Sequence, residues 1–315
     1  MKLLNICMLG GTGFVGHSIV NRLVDQGHNV TIVTRQRERH RELLVLPTLN
    51  LVQGNVFDKA FLNHEFAGAD VVINLVGILN EFRDQPGFDR VHAELPGNIA
   101  EACRDQSVPR LLHMSALKAS NGGPSAYLRS KGTGEDRAHQ NSGRTVAVTS
   151  FRPSVIFGPG DSFINRFAAL LKWTPGVLPL ACAQARFQPV YVEDVARVFV
   201  KSIGDYHTFG NRYELCGPKV YTLKQIVEYV ARITHQRRLV LGLGNRLSKL
   251  QAMAGELLPG KPISLDNIRS MREDSICSEG FPELFEITPS TLEDIVPHYL
   301  GKDQRTHPRS AASGV

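Results

Sequence analysis

The sequence has no apolar run approaching the ~18 residues that a membrane-spanning helix needs, and it has no internal repeat. Its opening residues carry too few apolar side chains for a secretory leader, so a cytoplasmic protein is expected. Cysteine is scarce. Cys7, Cys103, Cys182, Cys216 and Cys277 are odd in number and lack metal-ligand spacing. They read as reduced thiols packed in a core, and no metal site is expected. The cationic excess is modest, +6 over 315 residues, and is scattered rather than gathered into a stripe. That argues against nucleic acid as a partner. What remains is an ordinary globular composition, 42% hydrophobic and 21% charged, long enough for one large domain or two modest ones.

The most informative stretch is the first. Leu3 to Leu9 is a short apolar strand, Gly10, Gly11, Gly13 and Gly16 crowd a turn, and Phe14, Val15, Ile19, Val20 and Leu23 recur at helical spacing. Strand, glycine turn and helix start make a dinucleotide phosphate cradle. Gly10 permits the turn, Gly13 lets the backbone approach a pyrophosphate, and Gly16 lets helix and strand pack closely. The helix N-terminus then offers unpaired N–H groups to the phosphates.

Strands and helices alternate through the next 150 residues. Strands are expected at 29–34, 49–52, 70–76, 110–114 and 146–151, with one helix over 88–106 and another opening at Tyr127. This is an α/β pattern, a Rossmann-type doubly wound parallel sheet with a smaller C-terminal α/β domain. The division expected is a nucleotide-binding domain over 1–160, with a returning segment near 186–216. A smaller substrate or partner domain then covers 161–300, and a disordered tail 301–315. A helix over 223–233 and a helix begun by Glu193 or Asp194 as cap complete the outline.

The ends of the strands supply the candidate site. The second strand ends in Thr34-Arg35 with Arg37 and Arg39 close by, where an NAD-specific site would place an acid. A guanidinium there suits the extra 2′-phosphate of NADP(H), which is therefore preferred over NAD(H). Asn55 and Val56 lie in the loop that flanks the adenine, while Asp58 is the natural cap of the next helix. Asn74, Val76 and Gly77 end the fourth strand, where backbone passes close to the cofactor. His92 and Asn98 could reach the site, but helix-surface roles are favoured for both.

Ser115 closes the fifth strand, and Tyr127 and Lys131, four apart, share one helical face. A tyrosine hydroxyl titrates near 10, too high for a base at neutral pH. A lysine ammonium beside it favours the phenolate and lowers that value. Ser115 can hydrogen-bond a substrate oxygen, Tyr127 can move the proton, and Lys131 can hold the nicotinamide ribose. Residues 239–259 are rich in leucine, with only Arg246, Lys249 and Glu256 charged. They fit either internal packing or contact with a membrane surface or partner.

The motifs GGTGFVG, VVINLVG, YLRSK, RPSVIFGPGDSFINRFA and QPVYVEDVA resemble those of the extended short-chain dehydrogenase/reductases. More narrowly they are similar to the NADPH-binding accessory subunit family of respiratory complex I, a branch with bacterial homologues, within the NAD-dependent epimerase/dehydratase superfamily. The likeness covers residues 3–235. It implies NADP(H) gripped by Gly10, Thr12, Gly13, Phe14, Val15, Gly16, Arg35, Asn55, Val76, Lys131 and the loop Pro153, Ser154, Val155. It further implies a nucleotide held without turnover, and partners among membrane-associated respiratory or quinone-biosynthesis proteins at the inner face of the membrane. An active NADP-dependent oxidoreductase or nucleotide-sugar epimerase using Ser115, Tyr127 and Lys131 is the alternative. The twelve residues from Ser115 to Tyr127 are fewer than in the sugar epimerases, so the substrate loop there is short.

Overall fold

A computed structural model describes residues 2–301, other than 175 and 259. The tail expected beyond residue 301 lies outside the described residues. The strands are β1 (Asn5–Leu9), β2 (Asn29–Thr34), β3 (Leu49–Gln53), β4 (Val71–Asn74), β5 (Arg110–Met114), β6 (Ala147–Pro153), β7 (Ile156–Phe157), β8 (Val177–Leu180), β9 (Arg186–Phe187), β10 (Val190–Tyr191), β11 (Arg212–Leu215), β12 (Tyr221–Thr222) and β13 (Leu239–Gly242). The helices are α1 (Phe14–Asp25), α2 (Lys59–Phe66), α3 (Leu95–Asp105), α4 (Ala126–Asn141), α5 (Ile164–Trp173), α6 (Val192–Lys201), α7 (Leu223–Ile233), α8 (Asn245–Glu256), α9 (Leu265–Ser270) and α10 (Leu292–Leu300).

The central sheet has seven parallel strands in the order β3-β2-β1-β4-β5-β6-β11. Both its faces are covered, which is why its strands read as near-continuous apolar runs. Ile6 and Met8 pack with Ile19 and Leu23 of α1 and Val195 and Phe199 of α6. Cys7 and Leu9 face the other way, onto Leu62 of α2, Ile99 of α3 and Ala138 of α4. The strand order reverses between β1 and β4, and the crevice beyond their carboxyl ends is the ligand position of such sheets.

The smaller C-terminal α/β unit has a separate core. Leu171 of α5, Leu178 of β8, Ile226 and Val230 of α7, Val240 of β13 and Val296 of α10 pack together there. It interleaves with the large sheet because β11 pairs β6 and α6 lies on α1. Two guanidinium nitrogens of Arg22 donate to one carboxylate oxygen of Glu193, at 2.6 and 2.9 Å, and fix that helix contact.

Three expectations need correction. Cys216 and Cys277 form a disulfide, so not all five cysteines are free thiols. Their pairing ties the end of β11 to a segment 61 residues later that folds back onto the sheet edge. Neither Glu193 nor Asp194 caps α6, whose N-cap Tyr191 makes no side-chain cap bond. Glu193 is spent on Arg22, and Asp194 accepts from Ser290 N (2.7 Å) and pairs with Arg197. Residues 88–106 are not one α-helix: Asp89–Glu94 form a π turn before α3 begins. Pro96, in the first turn of α3, has no N–H to return to the carbonyl of His92, and the ladder widens there.

Candidate functional site: a glycine turn beside a buried Tyr–Lys helix

The turn after β1 leaves no room for side chains. Gly10 has φ +81°, and a Cβ on it would lie 3.0 Å from the Leu75 carbonyl carbon. A Cβ on Gly16 would lie 2.4 Å from Gly11 O, so α1 packs directly on the turn. Gly13 is the N-cap of α1 and offers no capping side chain, and the first helical turn, with Phe14, Val15 and Gly16, holds no acid. The donors of that turn are therefore unanswered by side chains, as an anion site requires.

At the end of β2, Thr34 is buried and Arg35 projects into solvent with no ion pair or hydrogen bond among the described residues. Arg37 donates its backbone N–H to Gln53 Oε1, which draws the loop against β3. Asn55 accepts from Phe57 N through Oδ1 (3.1 Å), Val56 is buried, and Asp58 caps α2 through Ala60 N and Phe61 N. Asn74 is also committed locally. Its Oδ1 accepts from Val76 N (3.1 Å) and its Nδ2 meets His113 Nδ1 (3.1 Å), which fixes the strand end on which Val76 and Gly77 stand.

Three elements converge at Gly77. A Cβ there would lie 3.3 Å from Lys131 Nζ and 3.6 Å from His92 Nε2. Lys131 is buried, donates to Met114 O (3.1 Å), and burial brings its ammonium down to about 8. Tyr127, one turn earlier, is pushed up to about 12 by burial. The sequence-based expectation that Lys131 lowers Tyr127 is thus not met: the ammonium is turned to the Met114 carbonyl, and desolvation governs the phenol. Ser115 is buried just past the end of β5, and its Oγ makes no hydrogen bond of normal geometry among the described residues, although it lies close enough to Glu135 to help hold that acid ionised.

His92 belongs to this site rather than to a helix surface. Its Nε2 accepts from Ile78 N (3.0 Å), which leaves the proton on Nδ1, directed to Ser130 Oγ (3.2 Å). Its ring stands edge-on to Tyr127 at 5.4 Å and stacks on Phe88. Burial, with the Lys131 charge second, brings its pKa down to about 2, so it is neutral. Asn98 is half-buried on α3. The start of α4 is fixed by Asp266, whose carboxylate accepts from Ala126 N (2.8 Å) and Tyr127 N (3.0 Å) across 139 residues of sequence. Beneath the site, Glu135 is fully buried between Arg152 and Arg212; burial pushes its carboxyl up, but the Arg152 guanidinium, helped by Ser115, outweighs that and holds it below the usual carboxylate range.

Residues Pro153–Val155 lie at the carboxyl end of β6. Ser154 Oγ donates to Ser275 O (3.0 Å) and meets Ser275 Oγ (2.9 Å), while Val190 N donates to Val155 O (3.0 Å). Its hydroxyl is engaged by the returning segment that the disulfide anchors.

This geometry has relatives. The model of the NAD dependent epimerase/dehydratase family matches residues 6–216. The chain belongs to that family. Within it, the chain is 29% identical over 304 residues to the mitochondrial NADH-ubiquinone oxidoreductase 40 kDa subunit of Neurospora crassa, covering 93% of this chain and 78% of that protein. It is 34% identical over 235 residues to the mitochondrial NADH dehydrogenase [ubiquinone] 1 alpha subcomplex subunit 9 of mouse, covering 73% of this chain and 61% of the relative. A ceramide reductase of Caulobacter vibrioides is 30% identical over 198 residues, 62% of this chain and 59% of that one. The chain thus spans about three fifths of the length of these last two relatives. Among solved structures, Pal from Bacillus thuringiensis has the same fold, with a TM-score of 0.73 at 17% identity over 94% of this chain and 99% of that one.

Proposed function

We propose that this family member holds NADP(H) tightly in the glycine cradle as a structural or sensing ligand. In this reading it serves as an accessory or assembly protein of a quinone-linked respiratory complex or of ubiquinone synthesis. Residues 1–160 with the return near 186–216 bind the nucleotide, and residues 161–300 face the partner. Gly10 to Gly16 and the N-terminus of α1 take the pyrophosphate. Arg35, unpaired and without an acid beside it, takes the 2′-phosphate. Asn55 and Val56 flank the adenine, and Val76, Gly77, Lys131 and the Pro153–Val155 loop enclose the nicotinamide end.

One observation carries the accessory reading. Tyr127 and Lys131 share a helix face, yet the Lys131 ammonium is directed to the Met114 carbonyl and makes no bond to the phenol. A lysine that activates a tyrosine for proton transfer has to stand beside its hydroxyl. The names of the relatives from Neurospora crassa and mouse support the same placement. Fractionation of native extracts tests it. The chain should co-migrate with a respiratory or quinone-biosynthesis assembly, and migration as a free monomer alone contradicts the reading.

A second reading rests on Lys131 reaching the Met114 carbonyl, next to Ser115, with Tyr127 one helical turn before it, and on the reductase relative. A bound nicotinamide supplies or accepts hydride, Ser115 holds the substrate oxygen, and Tyr127 gives or takes the proton. Reduction of a carbonyl that stops when Tyr127 is replaced by Phe would favour it.

A further inference from the structure

The C-terminal unit turns apolar side chains outward. Of the nineteen large apolar side chains exposed among the described residues, ten fall in residues 170–177 and 239–258. α8 is inverted: Ser248, Ala252 and Gly255 are buried, while Leu247, Leu250, Met253 and Leu257 form an exposed stripe at spacings of three and four. The parallel pair β8–β13 repeats the arrangement. Leu178 and Val240 point into the core, and Val177, Leu239 and Leu241 point out. Gln251 joins the two pieces, donating to Pro179 O (2.9 Å) and accepting from Ala181 N (3.0 Å). Trp173, the chain's single tryptophan, is 83% exposed just before β8.

The charges around this face have one sign. No Asp or Glu occurs between Asp161 and Glu193, or between Glu228 and Glu256, whereas Arg166, Lys172, Arg237, Arg238, Arg246 and Lys249 all do. Glu256, at the border, turns its carboxylate to Leu265 N (2.8 Å). An exposed apolar stripe flanked by cations alone, with an indole at its margin, is the pattern of a surface that enters the headgroup layer of an anionic bilayer. No helix among the described residues is long and apolar enough to cross the membrane, so the contact is interfacial.

We infer that the outer face of α8 and of β8–β13 docks the protein on anionic lipid. Leucine side chains enter the acyl boundary and the exposed Arg246, Lys249 and Arg237 meet lipid phosphates. This goes beyond the function proposed above and rests on that reading only for its biological setting. α8 also leads directly to the site: Gly255 packs on Ile263, and Asp266 caps the helix of Tyr127. The nucleotide site is therefore held next to the lipid-facing helix.

Co-sedimentation of the full chain with vesicles tests the inference. The probes are phosphatidylcholine vesicles with and without added phosphatidylglycerol. Nucleotide content is read on the same samples, so that a failure of lipid docking is separable from a failure of nucleotide binding. The protein should bind the anionic vesicles and bind the neutral ones weakly. The double variant Arg246→Gln, Lys249→Gln should lose about twentyfold in affinity. Leu250→Glu with Leu257→Glu should abolish binding while leaving bound nucleotide and the unfolding midpoint unchanged. Leu284→Glu, at an exposed leucine elsewhere, should bind as wild type. Absence of vesicle binding, or binding unaffected by the leucine variants, overturns the inference. So does a stable dimer in solution that Leu250→Glu dissociates, which would assign the face to a second copy. Protection of the face only within a purified protein assembly would assign it to a protein partner and overturn it equally.

Discussion

The carbonyl oxygen of His92 lies 1.6 Å from the point where a β-carbon on Gly134 would stand. The π turn and α4 can meet at that distance only because Pro96 frees the carbonyl and Gly134 has no side chain. Their contact places the His92 ring against Tyr127 and its Nε2 beside Gly77. Gly134→Ala should therefore force the helices apart. A loss of about 2–3 kcal/mol is expected, read as a lower urea midpoint, together with weaker nucleotide retention. Wild-type stability would mean that α3 and α4 are not packed as described.

In the proposed site, cofactor choice would turn on Arg35. Replacing it with Asp should cost at least tenfold in NADPH affinity, about 1.4 kcal/mol, and spare NADH. Titration with both nucleotides checks this. An equal loss for the two would remove Arg35 from the 2′-phosphate site.

Tyr127→Phe removes a hydroxyl that makes no hydrogen bond within the protein's described residues. Bound nucleotide and the unfolding midpoint should remain as in the wild type, because the ring still packs on Phe88 and His92. Loss of the nucleotide would show that the hydroxyl itself holds the ligand.

His92 makes an acid-side signature. Its pKa is 6.5 when exposed and about 2 in the folded protein, so between those values the unfolded chain binds more protons. Its contribution to stability is full above pH 6.5 and falls as the pH drops through that window, by at most about 1.4 kcal/mol per pH unit. His92→Gln keeps an acceptor for Ile78 N without the titration, and its unfolding free energy should fall less steeply below pH 6.5. Parallel curves for the two proteins would contradict a buried neutral imidazole.

The central sheet and the glycine turn were legible because their signals are local. Apolar runs of strand length, turn glycines and helical periodicity each lie within about ten residues of sequence. Arg35, Tyr127 and Lys131 could be named for the same reason. What escaped depends on distant partners or on a break in periodicity. Asp266 caps Tyr127's helix from 139 residues away, and Cys216 meets Cys277 across 61. The uncoupling of Tyr127 from Lys131 follows from a carbonyl on another strand. His92 was assigned to a helix surface because residues 88–106 keep helical spacing. Pro96, four residues after it, was the available sign that the helix changes pitch there.

The identity of whatever the protein carries when purified without added nucleotide tests the central claim most directly. The protein should be dialysed, denatured, and the released small molecule identified by mass. Stoichiometric NADP(H) surviving dialysis is the predicted result. An empty site that rebinds NADPH weakly and exchanges it freely would contradict a tightly held ligand and favour an oxidoreductase.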